Sequence, residues 1–213
     1  MSGTIRDRLR QRLAGAAAEQ MVDELFAFMA EHGQTFYDEI VTQIEHALQC
    51  AELAQQRDFG DEAVTAALLH DIGHLLVGEF EAQQGPPKQD FIHEEVGADF
   101  LTDYFPEQVT EPIRLHVAAK RYLCSTDPEY YDQLSDGSKR SLEVQGGRLS
   151  PDEQTELEGN PFLNVALEIR RLDDLGKLSD HNAPPIETYR DTVAKCLRSN
   201  SRGSVNSDYT ARG

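Results

Sequence analysis

Apolar positions recur at helical spacing along nearly the whole chain. Met21, Leu25, Phe28 and Met29 share one face of a stretch over residues 5–32, which Gly33 ends. Ile44, Ala47, Leu48 and Ala51 mark a second helix over residues 42–56 and put His46 near the edge of its buried face. A third pattern restarts at Gly60-Asp61 and carries Val64, Ala67, Leu68, Ile72 and Leu75 straight through His70 and Asp71. Further helices are predicted over residues 93–104, 106–122, 161–177 and 184–197, the last opened by Pro184-Pro185. Ser150-Pro151-Asp152-Glu153 reads as a helix start, because Ser caps, Pro fits the first turn and Glu closes a capping box. Gly85-Pro86-Pro87 makes residues 78–89 a loop. Residues 34–39 are a short break, and residues 125–150 are irregular apart from one short helix over 138–147 that glycines end. No segment alternates as a strand does, so the predicted fold class is all-α.

At 213 residues the chain has room for one domain with a sizeable core. Residues 1–33 read as a helical extension packed on that core, 34–197 as the domain proper, and 198–213, which are Ser, Asn, Arg and Gly with almost nothing apolar, as a disordered tail. The net charge of -18 works against nucleic acid and anionic membranes as partners, so an anionic substrate has to be met by a few local cations. Cys50, Cys124 and Cys196 are odd in number and lack metal-ligand spacing, which fits reduced thiols in a cytoplasmic protein. No apolar run approaches the roughly 18 residues of a membrane span. An acidic surface over short helices permits a monomer.

The chemistry centres on Leu69-His70-Asp71-Ile72-Gly73-His74. A charge-capable pair among apolar neighbours costs several kcal/mol unless it is paired or holds a metal. His46, His70, His93 and His116 fall on four predicted helices, and four helices can turn one imidazole each toward a common centre. Imidazoles with hard carboxylates and no thiolate favour iron, manganese or zinc. His32, at a helix terminus, and His181, in a loop, read as satisfied or surface histidines rather than ligands.

His46, then His70-Asp71, then a late Asp resembles the HD-domain superfamily, an all-α helical bundle that binds metals and whose members are mostly phosphohydrolases. More narrowly, residues 39–49 and 68–74, with His93, His116-Val117-Ala118-Ala119-Lys120, Ser141-Leu142-Glu143-Val144-Gln145-Gly146-Gly147 and Arg170-Arg171-Leu172-Asp173-Asp174-Leu175-Gly176-Lys177, look like the PhnZ-type diiron oxygenases, relatives of myo-inositol oxygenase. The resemblance spans residues 34–177. It implies two iron ions in a mixed-valent Fe(II)/Fe(III) pair, with O2 as co-substrate. His46, His70, Asp71 and Asp173 would hold one iron, and Asp71 would bridge to a second held by His93 and His116. Asp173 is preferred to Asp174 because the ligand lies four residues before a Lys, here Lys177. The resemblance further implies that His74, Lys120 and Arg170 bind phosphonate oxygens, with help from Ser138 or Ser141.

Those positions agree with helical geometry, since His74, Lys120 and Arg170 each lie three or four residues from a ligand and so on its face. In such relatives a Tyr occupies an iron position until a Glu contacts the substrate amine and helps move it away. Glu39 keeps the expected distance to His46, whereas Phe36 stands where a strict count puts the Tyr and Tyr37 follows one step on. The reaction implied is oxidative cleavage of the carbon–phosphorus bond of a small organophosphonate, a 1-hydroxyalkylphosphonate of the 2-amino- or 2-trimethylammonio-ethyl type, to glycine or glycine betaine plus phosphate. The rival reading is an HD phosphohydrolase acting on a nucleotide or other phosphate ester. It uses His46, His70, Asp71 and a late Asp but leaves the oxygenase-like flanks unexplained.

Overall fold

The computed structural model describes residues 3–36, 41–78 and 92–198. The described residues form helices and turns, joined to one isolated bridge between Phe36 and Thr42. In chain order the helices are α1 (Ile5–Leu13), α2 (Ala18–His32), α3 (Gln43–Gln56), α4 (Asp61–Leu69), α5 (Ile72–Val77), α6 (His93–Leu101), α7 (Glu107–Thr126), α8 (Pro128–Gln133), α9 (Asp136–Val144), α10 (Pro151–Glu158) and α11 (Leu163–Leu175). A 3-10 turn (Ile186–Tyr189) leads into α12 (Arg190–Cys196).

Helix starts follow their capping residues. Thr42 accepts from the Glu45 amide while Glu45 returns a carboxylate to the Thr42 amide, which sets the first turn of α3 one turn before His46. The same reciprocal bonds join Ser150 and Glu153 at α10, with Pro151 in the first turn. The single helix predicted over residues 5–32 is two, because Gly15 turns the chain at φ 77° between α1 and α2.

The long α7 is the spine, packed against α11, α6 and α4. Helix α3 lies against α4 and α11, and its buried face is built of small residues, Ala47, Cys50, Ala51 and Ala54. Small side chains allow close approach, and α4 answers with Ala66 and Ala67. One core gathers Phe28, Met29, Leu68, Leu69, Ile72, Phe100, Phe105, Ile113, Ile169 and Leu172, and Leu9 and Leu13 of α1 are buried in it. Arg198 belongs to this body: its amide donates to Tyr104 O and its Nε to Phe105 O, at 2.8 Å each. The remainder of the tail expected from residue 198 lies outside the described residues.

Two corrections bear on the site. The pattern through His70 and Asp71 is not one helix: α4 ends at Leu69, and α5 begins at Ile72 after Asp71 takes φ -100° and ψ 10°. Residues 125–150 are not irregular, since Asp127 caps α8, with Pro128 in its first turn, and Ser135 caps α9. These two short helices rest on a second small cluster of Cys124, Leu134 and Leu142, with Tyr130 and Tyr131 against it. They form a cap over the end of α7.

Candidate functional site

Four helix faces and one helix break bring the predicted residues together. His46 comes from α3, His70 and Asp71 from the α4–α5 break, His93 from the start of α6, His116 from α7 and Asp173 from α11, and all six are buried. The break solves a directional problem. Successive residues of a regular helix point about 100° apart, so only a departure from helical backbone lets His70 and Asp71 face one point.

Asp71 divides the cluster in two. Its Oδ2 lies 3.3 Å from His70 Nε2 and 3.6 Å from His46 Nε2, and His46 Nε2 is 3.3 Å from Asp173 Oδ1. Its Oδ1 lies 3.3 Å from His93 Nε2 and 3.6 Å from His116 Nε2. Across each half two imidazoles meet nitrogen to nitrogen, His46 with His70 at 3.3 Å and His93 with His116 at 3.1 Å.

The outer nitrogens decide what the inner ones offer. His46 Nδ1 is 2.8 Å from Gly176 O, His70 Nδ1 2.9 Å from Ala67 O, and His116 Nδ1 2.7 Å from Ile113 O. A carbonyl only accepts, so each Nδ1 carries the proton and each Nε2 turns a lone pair inward. His93 Nδ1 lies 3.4 Å from Glu94 Oε2. Carbonyl and carboxylate acceptors behind ligating histidines are the usual outer layer of metal sites.

Lone pairs facing each other at 3.1–3.3 Å, beside a carboxylate whose Oδ2 is buried with no hydrogen-bond donor, call for cations between them. Metal bonds of about 2.1 Å meeting at roughly 90–110° need donor atoms about 3.0–3.4 Å apart, which is the spacing found here. The residues therefore fit two metal ions, one on each oxygen of Asp71.

Without an ion, a proton on His70 takes the cation's place beside the carboxylates. Burial works to lower the His70 imidazolium, but the adjacent charge of Asp71, then that of Asp173, outweighs it and lifts His70 to about 9. Burial would raise Asp71, yet His70, His93 and His74 hold it well below the carboxylate range. For Asp173 burial is likewise overcome, by Arg170, Lys177 and His46. His116 is pushed well below its ordinary value by burial and by His93.

Two neighbours lie close enough to be mistaken for ligands. Cys50 Sγ is 3.8 Å from His46 Nε2, but its thiol donates toward Leu172 O at 3.6 Å, and burial with the charges of Asp173 and Asp71 keeps it protonated. His74 Nε2 is 3.9 Å from Asp71 Oδ1, but its ring stacks on that of His93, 3.8 Å between centroids and 15° from parallel. Stacked rings have parallel in-plane lone pairs, which do not converge on one ion.

Cations border the cluster. Lys120 Nζ donates to Ser141 Oγ at 2.6 Å and Gln145 Oε1 at 3.0 Å, and burial, then Arg170, push it down to about 7. Arg170, buried beside it on α11, donates through Nη1 to Asp173, through Nη2 to Asp174 and through Nε to the Tyr130 hydroxyl at 2.9 Å. Lys177 Nζ is 3.2 Å from Asp173 Oδ1. Asp174 faces Arg170 and Tyr130, and Asp173 faces His46. Ser138 is drawn into the α9 cap, where Ser135 Oγ donates to its hydroxyl at 3.2 Å. His32 and His181 stay outside, His181 paired with Glu52. Phe36 is 63 % exposed, and Tyr37, Asp38 and Glu39 lie outside the described residues.

Several participants escape the sequence reading. Gln145 stands four residues beyond Ser141 and Glu94 adjoins His93, so spacing could have found them, while Lys177, used in the sequence only to choose Asp173, is its ion-pair partner. Nothing local marks Tyr130 or the Gly176 carbonyl.

Comparison with known proteins bears on the same residues. The family model described as "HD domain" matches residues 43–175. The chain is 48 % identical over 178 residues to a protein of Gimesia maris named hydroxymethylphosphonate dioxygenase, covering 84 % of this chain and 89 % of that one. It is 44 % identical over 151 residues to a protein of Leisingera caerulea named [1-hydroxy-2-(trimethylamino)ethyl]phosphonate dioxygenase (glycine-betaine-forming), covering 71 % and 76 %. A protein of Acanthamoeba polyphaga mimivirus named uncharacterized protein L432 is 34 % identical over 166 residues, covering 78 % and 76 %.

Proposed function

The chain belongs to the HD-domain family, and from that premise we propose that it is an iron-dependent oxygenase that cleaves the carbon–phosphorus bond of a 1-hydroxyalkylphosphonate with O2. One observation carries the reading beyond a generic metal-binding HD fold. The Asp71 carboxylate has a pair of inward imidazole nitrogens on each of its two oxygens, which is the donor set of a bridged pair of ions. The phosphonate dioxygenase names of the two relatives support the reaction class.

His46, His70, Asp71 and Asp173 would hold one iron, and Asp71, His93 and His116 the other. Bound iron would supply the redox chemistry and the activation of O2. The protein's part is electrostatic and positional. Lys120, Arg170 and His74 neutralise the phosphonate where the net charge of the chain would repel it, and Ser141 with Gln145 aims the Lys120 ammonium. Buried Nδ1 contacts lock His46, His70 and His116, which would keep the ions in place while substrate enters.

The balance closes without a further reductant: carboxylic acid and phosphate together contain two more oxygen atoms than the hydroxyphosphonate, the two atoms of one O2. The acidic pair Asp38-Glu39 in the segment before α3 is the reason to place a cation, amino or trimethylammonio, on the substrate's second carbon, giving glycine or glycine betaine. Tyr37 and Glu39 would gate that end.

Iron-loaded protein should release phosphate from 1-hydroxy-2-aminoethyl- or the trimethylammonio phosphonate while consuming one O2 per phosphate. Phosphate release under strict anaerobiosis, or from phosphate esters alone, would identify a hydrolase instead. Faster turnover of hydroxymethylphosphonate than of either cationic substrate would remove the role given to Asp38-Glu39.

A further inference from the structure

Arg170 is held by a side chain from outside its own helix. Its Nε donates to the Tyr130 hydroxyl at 2.9 Å, the same hydroxyl donates to Asp174 Oδ2 at 2.5 Å, and Asp174 Oδ1 accepts from Nη2. These bonds close a ring along one edge of the guanidinium. The hydroxyl must accept from a cation and donate to a carboxylate at once, which a phenol can do and a phenyl ring cannot.

Tyr130 stands on α8, part of the cap that rests on Cys124, Leu134 and Leu142. The other half of that cap, α9, supplies Ser141 to Lys120. Both buried cations of the anion cradle are thus fastened to the same cap, Lys120 through Ser141 and Arg170 through Tyr130. Because Asp173 and Asp174 already offset the charge of Arg170, its usefulness to an anion depends on direction more than on surplus charge.

We propose that Tyr130 is a positioning residue: its hydroxyl, with Asp174, fixes the Arg170 guanidinium for a phosphonate or phosphate oxyanion and couples that grip to the seating of the α8–α9 cap. The inference rests on Arg170 binding the phosphonate, as proposed above.

The test measures equilibrium binding of inorganic phosphate and of methylphosphonate by calorimetry, using iron-loaded full-length protein without O2. Tyr130→Phe should bind both about tenfold more weakly, the loss of one hydrogen bond to a charged group. Its iron content and Tm should match the unsubstituted protein, and in turnover KM should rise by the same factor at constant kcat. Arg170→Ala should bind about a hundredfold more weakly, and Tyr130→Phe added to it should cost nothing more. Tyr131→Phe, one residue along and outside the ring, should bind as the unsubstituted protein does.

Normal binding by Tyr130→Phe alongside weakened Arg170→Ala would overturn the inference alone. Normal binding by Arg170→Ala would overturn the anion-cradle reading beneath it. A full tenfold loss on the Arg170→Ala background, or loss of iron and Tm along with binding, would mean that Tyr130 does not act through Arg170.

Discussion

Three of the four imidazoles of the centre, His46, His70 and His116, have a decided Nδ1 proton. The Nδ1 acceptors at Gly176, Ala67 and Ile113 turn Nε2 of His46, His70 and His116 inward across ring-to-ring distances of 3.1–3.3 Å, and it is this opposition that fits the cluster to cations. Replacement should therefore sort by half. His93→Ala is expected to lower iron from two to about one per chain and to abolish turnover, whereas Asp71→Asn, which touches both halves, should lose most of both, as measured by metal analysis of purified protein. Lys120 supplies a pH signature. Burial and Arg170 bring it to about 7, so below that pH it is charged in the anion-free protein, and above it anion binding must first take up a proton. Phosphate affinity should accordingly fall, approaching tenfold per pH unit, as pH rises past about 7, and Lys120→Met should remove that dependence. At this scale much was legible: the identities and helical spacing of His46, His70, His93, His116 and Asp173 are in the sequence, because a ligand must be a particular residue type. Tyr130 was not, because its partner Arg170 is 40 residues away and no local pattern joins them.

Among the elements, the break between α4 and α5 and its contact with α6 control the geometry. Gly73 has no room for a side chain: a Cβ there would fall 1.8 Å from His93 O and 2.6 Å from its carbonyl carbon, and Gly97 of α6 packs back against Gly73 with its own Cβ position 3.2 Å from Gly73 N. Since the obstacle is backbone, α6 would have to move and carry His93 with it. Gly73→Ala is expected to destabilise by about 2 kcal/mol or more in chemical denaturation and to reduce iron at the His93 half. The capping of α10 was read from Ser150-Glu153, since those bonds are local. The break at His70-Asp71 was not readable. Its apolar positions continue at helical spacing on both sides, and what interrupts them is the convergence of both side chains on groups from other helices.

Across the whole molecule the centre is where the chain is tied together, because α3, the α4–α5 break, α6, α7 and α11 each send a donor to it. Ions that bind only the folded arrangement stabilise it by mass action, so removal of iron with a chelator should lower Tm by about 10 °C, the equivalent of a few kcal/mol for a chain of this size, and ferrous iron should restore it. None of the described helices is long and apolar enough to cross a membrane. The sequence by itself determined an all-α chain and the capped start at Ser150, and it determined which side chains could ligate a metal, since periodicity, capping and donor chemistry are local properties. Only the tertiary structure decided that Asp71 offers one oxygen to each pair of imidazoles, that Asp173 meets His46 while Asp174 meets Tyr130, and that Tyr130 reaches Arg170. Those outcomes depend on distances between helices, and packing sets such distances.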